Sequence, residues 1–210
     1  MPDPLPIAVL ISGSGSNLQA LIDHRAHGSA YRIDLVLSDQ EDAFGLERAA
    51  AAGIPTAIVR FGDHPDRTAF TDAICDAVEA AGTPLMVLAG FMRILAPTAI
   101  RRFPNAIVNV HPALLPAFPG AHAVPQAIEH GVKLTGVTVH FVDEEVDHGP
   151  IIAQEVVPVF ENDDVDALHE RIQAVEHRLL PEVVAAIGDG SVTVDGRIVS
   201  LDRTPEGATR

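Results

Sequence analysis

An open, mostly parallel α/β sheet with helices on both faces is the fold class this sequence predicts, and three observations predict it. Short, wholly apolar runs such as Ile7-Ala8-Val9-Leu10-Ile11 recur between stretches of helical periodicity, the pattern of strands buried on both faces. A glycine-rich turn, Ser12-Gly13-Ser14-Gly15-Ser16-Asn17, joins the first of these runs to Leu18-Gln19-Ala20-Leu21-Ile22, which resumes at helical spacing. In the C-terminal third, strands follow one another too closely for a helical crossover and are expected to pair antiparallel.

Taken in order, Ile33-Asp34-Leu35-Val36-Leu37 reads as the second strand, 44–52 as a helix closed by Gly53, and Thr56-Ala57-Ile58-Val59 as the third strand. Residues 65–81 read as a helix with Phe70, Ile74, Ala77 and Val78 on one face, and Leu85-Met86-Val87-Leu88-Ala89 as the central buried strand. Alternation of this kind implies a parallel sheet. A short helix at 97–102, a strand at 106–111 and a helix at 124–130 ended by Gly131 follow. Strands at 136–141 and 151–159 flank an acidic loop, and 163–187 reads as a long amphipathic helix with Asp163 or Asp164 as its cap. Pro181 inside that helix is expected to kink it or end its first part. Around Asp195-Gly196 a hairpin is predicted, with these two residues supplying the positive-φ positions of a type I′ turn. The tail after Leu201 is expected to be loose.

With 210 residues, 47% of them hydrophobic, the chain is read as a single domain, 1–210. Its 14 basic and 29 acidic residues give a formal charge of -15, which disfavours nucleic acid, since that partner is bound largely by Lys and Arg displacing counterions. An anionic ligand must be held locally. One cysteine, Cys75, excludes an internal disulfide and fits a reducing compartment. No apolar run approaches the roughly 18 residues of a membrane span. The start, Met1-Pro2-Asp3-Pro4-Leu5-Pro6, lacks the basic segment and apolar core of a signal peptide. A soluble, cytoplasmic protein is expected, with no membrane partner, as a monomer or homodimer.

The chemistry gathers on Asn109-Val110-His111-Pro112, where an apolar strand ends in two polar side chains. Side chains two apart on a strand share a face, so Asn109 and His111 project together, with Val108 and Val110 opposite. The proline-rich segment that follows is expected to steer the chain away from the pocket. Asp143-Glu144-Glu145-Val146-Asp147-His148-Gly149-Pro150 supplies an acid. Amide, imidazole and carboxylate together point to acyl transfer. The glycine turn lacks the third glycine of the dinucleotide fingerprint and the Gly-Lys-Ser/Thr of a P-loop. Its backbone N–H groups at a helix start nonetheless suit a small phosphate. The histidines His111, His122, His140 and His148 show no tight metal-ligand spacing.

These motifs, with Leu88-Ala89-Gly90-Phe91-Met92-Arg93-Ile94-Leu95, closely resemble those of the phosphoribosylglycinamide formyltransferases, folate-dependent enzymes of purine synthesis. The resemblance runs from about Ile7 to Pro181. It implies a Rossmann-like formyltransferase fold, a phosphate-binding half at about 6–104 and a folate and catalytic half at about 105–201. It implies formyl transfer from 10-formyltetrahydrofolate, as co-substrate, to the amine of glycinamide ribonucleotide, without a metal.

By position, Asn109, His111 and Asp147 match the catalytic trio, with Asn109 and an imidazolium His111 as oxyanion donors and Asp147 raising the pKa of His111. Gly15, Ser16 and Asn17 match the ribonucleotide-phosphate loop, and Gln173 and Glu176 match residues near the ribose and the amine. The backbone of Met92, Arg93, Ile94 and Leu95, the loop of Asp143, Glu144, Glu145, Val146 and Asp147, and Arg67 match the folate side. The Arg93 side chain reads either as a partner for a folate carboxylate or as a cap on the 97–102 helix. Ala113, Ala117, Ala121, Ala123 and His148 depart from the residues usual in the family. The alternatives are formyltetrahydrofolate hydrolase or another formyltransferase of the same fold, against which length and charge are expected to tell. A non-catalytic nucleotide-binding module would keep the glycine loop and have no need of the trio.

Overall fold

Residues 3–25 and 28–201 are described by a computed structural model; the tail after Leu201 lies outside them. Five apolar segments form parallel strands: β1 (Leu5–Ile11), β2 (Tyr31–Ser38), β3 (Thr56–Ile58), β4 (Leu85–Leu88) and β5 (Ile107–His111). Two more, β6 (Leu134–Phe141) and β7 (Ile151–Pro158), add antiparallel at one edge, as their short connection requires. The seven-stranded order is β3-β2-β1-β4-β5-β6-β7. The chain runs outward from β1 in one direction and from β4 in the other, so the carboxyl ends of β1 and β4 flank a topological switch point, where such sheets bind ligands.

Helices cover both faces. Leu18 and Leu21 of α1 (Ser16–Arg25), Ala49 of α2 (Phe44–Ala51), Ala127 of α5 (Ala123–Glu129) and the stripe Leu168, Ile172, Leu179, Val183 of α6 (Val165–Gly188) close one core with Val9, Val87, Val108 and Val110. Phe70, Ile74 and Val78 of α3 (Arg67–Ala80) and Ala99 of α4 (Pro97–Arg102) close the other over Leu10, Leu37, Met86 and Ile107. Each fully buried aliphatic side chain contributes roughly 1.5–3 kcal/mol. Among the described residues no helix is long and apolar enough to cross a membrane.

Several local expectations are corrected. The helix read from residue 65 begins at Arg67, because Asp66 caps it by accepting from the N–H of Ala69 at 2.9 Å. Asp164 caps α6, while Asp163 accepts from the N–H of Phe160 and pairs with Arg171. Pro181 does not end α6, which runs on for 24 residues; its ring is buried in the helix's apolar stripe. In the hairpin, Asp195 pairs with Ile198 across β8 (Val192–Asp195) and β9 (Ile198–Leu201). The turn is therefore Gly196-Arg197, and only Gly196 takes a positive φ, +58°, the pattern of a type II′ turn.

Candidate active site

The glycine loop after β1 is pressed onto α2. A Cβ on Gly15, whose φ is +67°, would lie 2.6 Å from the Cα of Gly45, so only glycine permits this approach. The N–H of Gly45 donates to the carbonyl of Gly13 at 3.0 Å and Arg48 Nε donates to the carbonyl of Ser14 at 2.9 Å. Loop and helix start are thus fixed from behind, an arrangement that favours an anion at the N-terminus of α1.

The turn after β4 is tied to this loop. Ser12 N donates to the carbonyl of Gly90, and the N–H of Met92 donates to Ser12 Oγ at 2.8 Å. Arg93 Nε donates to Asp39 Oδ2 at 2.8 Å, with the guanidinium over the Phe61 ring. Burial pushes the Asp39 carboxyl up, while the Ser12 hydroxyl, Arg93 and Gln40 hold it below the usual carboxylate range. Arg93 caps no helix, since α4 has Ala96 as its N-cap and no side-chain cap bond. Met92 and Ile94 are exposed at the rim, whereas the Leu95 side chain belongs to the core and leaves only its backbone to a ligand. Arg67 opens α3, one turn before Phe70, which stacks on Phe91 of the same turn. Among the described residues no hydrogen bond joins Arg67 to the other predicted residues.

Asn109 and His111 share a face of β5, and both meet Asp147. His111 Nδ1 lies 3.3 Å from Asp147 Oδ2, and Asn109 Nδ2 lies 3.5 Å from Oδ1. Asp147 is held in the left-handed region at φ +53° and accepts the N–H of Gly120 at 2.7 Å. His111 Nε2 donates to the carbonyl of Phe118 at 2.8 Å. The proline-rich segment therefore does not steer away from the pocket: it folds back over the trio and supplies one group to His111 and one to Asp147.

Opposing causes set the electrostatics of the trio. Burial lowers the pKa of His111; Asp147 and the Phe118 carbonyl pull it back up without overcoming the burial. Burial pushes Asp147 up, but His140, the Gly120 N–H and His111 hold it below the usual carboxylate range.

Sequence reasoning missed His140 as part of this cluster. It stands opposite Asn109 in the antiparallel register of β5 and β6, its ring 1% exposed. Nδ1 bonds the carbonyl of Phe141, which leaves Nε2 to accept from Asn109 Nδ2 at 3.2 Å and places it 3.7 Å from Asp147. The one available signal was cross-strand pairing, which needs the register and not only the strands.

Glu176, on α6, faces the glycine loop. Asn17 Nδ2 donates to its Oε2 at 2.9 Å, and both side chains are buried. Gln173 stands one turn earlier on the same helix, half-buried. Burial raises the pKa of Glu176 despite the Asn17 bond. A carboxyl raised on folding stabilises below its unfolded pKa and loses that contribution as pH rises through the folded value. Glu176→Gln should therefore melt higher than the wild type at pH 7, by about 2–4 °C per kcal/mol of burial cost removed. The difference should close towards pH 4; a variant melting lower at pH 7 than at pH 4, relative to wild type, would contradict this.

A sheet with a phosphate-suited loop and an amide–imidazole–carboxylate cluster at its switch point defines a group-transfer enzyme. The chain belongs to the formyl transferase family, whose model matches residues 5–184. It is 48% identical over 200 residues to the phosphoribosylglycinamide formyltransferase of Mycobacterium tuberculosis, covering 95% of this chain and 93% of that protein. It is 44% identical to the Bos taurus trifunctional purine biosynthetic protein adenosine-3, over 94% of this chain but 20% of that protein. In structure it is similar to glycinamide ribonucleotide transformylase 1 of Symbiobacterium toebii, with a TM-score of 0.93, 47% identity, and coverage of 96% and 95%. The Coxiella burnetii phosphoribosylglycinamide formyltransferase gives 0.91 at 38% identity, over 95% and 94%.

Proposed function

We propose that this formyltransferase moves a formyl group from 10-formyltetrahydrofolate to the amine of glycinamide ribonucleotide, in cytoplasmic purine biosynthesis. The observation that carries the reading is the joining of Asn109, His111 and Asp147 at the rim shared by the glycine loop and the Phe91 turn. Gly15, Ser16 and Asn17 hold the phosphate, and Gln173 and Glu176 hold the ribose and the glycinamide amine. Asp147, Met92, Arg93, Ile94, Leu95, the residues 143–146 and Arg67 form the folate side.

When the amine attacks the formyl carbon, negative charge develops on the formyl oxygen beside Asn109 and His111. Donors placed at such a charge contribute roughly 3–4 kcal/mol each. The amide N–H of Asn109 that reaches Asp147 only at 3.5 Å is the one a stronger acceptor would recruit. Developing negative charge beside His111 raises its proton affinity at the moment of reaction, against the burial that lowers it. Asp147, ionised at the outset, takes the amine's proton through water as the new C–N bond forms and returns it to N10 of the folate as the tetrahedral intermediate collapses and the N10–formyl bond breaks.

The test is folate turnover measured with and without glycinamide ribonucleotide. Formyl transfer that requires the ribonucleotide supports the reading; equal consumption of 10-formyltetrahydrofolate with water alone would replace it with a hydrolase.

A further inference from the structure

The loop between β6 and β7 carries Asp147, and its backbone is fixed unevenly. On the far side, Gly149 is wedged against β6: a Cβ there would lie 1.8 Å from the carbonyl oxygen of Phe141. On the near side, Asp147 occupies the left-handed region, which a non-glycine residue holds only when its surroundings impose it. His148 is the single residue between them.

His148 is gripped from outside the loop. Arg197 Nη2 donates to its backbone carbonyl at 2.6 Å, and Nη1 comes within 3.3 Å of its Nδ1. Nδ1 also lies 2.9 Å from Asp143 Oδ2. One ring nitrogen cannot serve both: it must carry a proton for Asp143 and a lone pair for Arg197. The shorter contact makes Nδ1 a donor to Asp143, and the Arg197 bond to the carbonyl stands whichever tautomer holds. Arg197 lies at the tip of the β8–β9 hairpin, whose underside, Val192, Val194 and Val199, packs on the main core, with β9 beside β7. The hairpin is thus anchored at its base and reaches the loop at its tip.

We infer that the C-terminal hairpin is a strap for the loop bearing Asp147, with Arg197 as a positioning residue that acts through the His148 backbone. The inference rests on the reading of Asp147 given above. An exposed ion pair alone contributes little, but a guanidinium bond to a carbonyl adjoining a strained residue sets where that residue's carboxylate sits.

Arg197→Ala and Arg197→Lys are compared with wild type by steady-state kinetics in both substrates, thermal unfolding, and hydrogen exchange of the 142–150 amides. Loss of one charge-assisted bond corresponds to about a tenfold change. Arg197→Ala should therefore lose about that factor in kcat/KM for 10-formyltetrahydrofolate, with KM for glycinamide ribonucleotide and Tm unchanged and loop exchange faster. Arg197→Lys, still able to donate to the carbonyl, should recover part of the loss. Wild-type kinetics and exchange in Arg197→Ala would overturn the strap, as would equal rises in both KM values with a lower Tm. If wild type transfers no formyl group yet the loop of Arg197→Ala exchanges faster, the functional reading falls and the strap stands.

Discussion

His111→Ala is expected to slow formyl transfer by at least about 10²–10³-fold, the cost of removing one donor aimed at a developing oxyanion. Ribonucleotide affinity should hold, because the glycine loop proposed to bind it is fixed by Gly45 and Arg48 and not by His111. Stability should fall as well. The ring is buried, donates from Nε2 to the Phe118 carbonyl and lies 3.3 Å from Asp147, and an unsatisfied buried partner costs roughly 1–3 kcal/mol. Turnover at the wild-type rate in a folded variant would remove His111 from the chemistry. A loss confined to ribonucleotide binding would move its role to the other substrate.

Asp147→Asn carries the second large effect. Losing the group that orients the ring and takes the proton should reduce kcat by about 10²–10⁴-fold. The pH dependence gives a sharper check. Asp147 pulls the His111 pKa upward against burial, so neutralising it must move that pKa further down. An imidazole titration followed by NMR reads this directly, and an upward shift would contradict the assigned contact. For stability, a carboxyl held below its unfolded pKa contributes above that value and loses the contribution as pH falls through the folded one. Wild type should therefore lose more stability on acidification below about pH 4 than Asp147→Asn does.

Much of this site follows from residue pattern. Apolar runs and the change of rhythm after Lys133 suffice for a parallel sheet with an antiparallel edge, and the period of two places Asn109 and His111 on one face. What escaped the sequence depends on tertiary geometry. Residues 112–122 have no apolar periodicity, so nothing local says that Phe118 and Gly120 return to His111 and Asp147. His140 joins the cluster only through register with Asn109. Asp39 looks like any loop acid, yet it is buried between the glycine loop and Arg93. The sign of the His111 shift could not be read from a neighbouring aspartate, because the opposing cause is burial.

The claim that matters most is that His111 and Asp147 act as one unit on the transferred group. Single-turnover formyl transfer in His111→Ala, Asp147→Asn and the double variant tests it most directly. Residues that act as a unit are grossly non-additive, so the double variant should be no slower than His111→Ala alone. Losses that multiply would show two independent contributions and contradict the account.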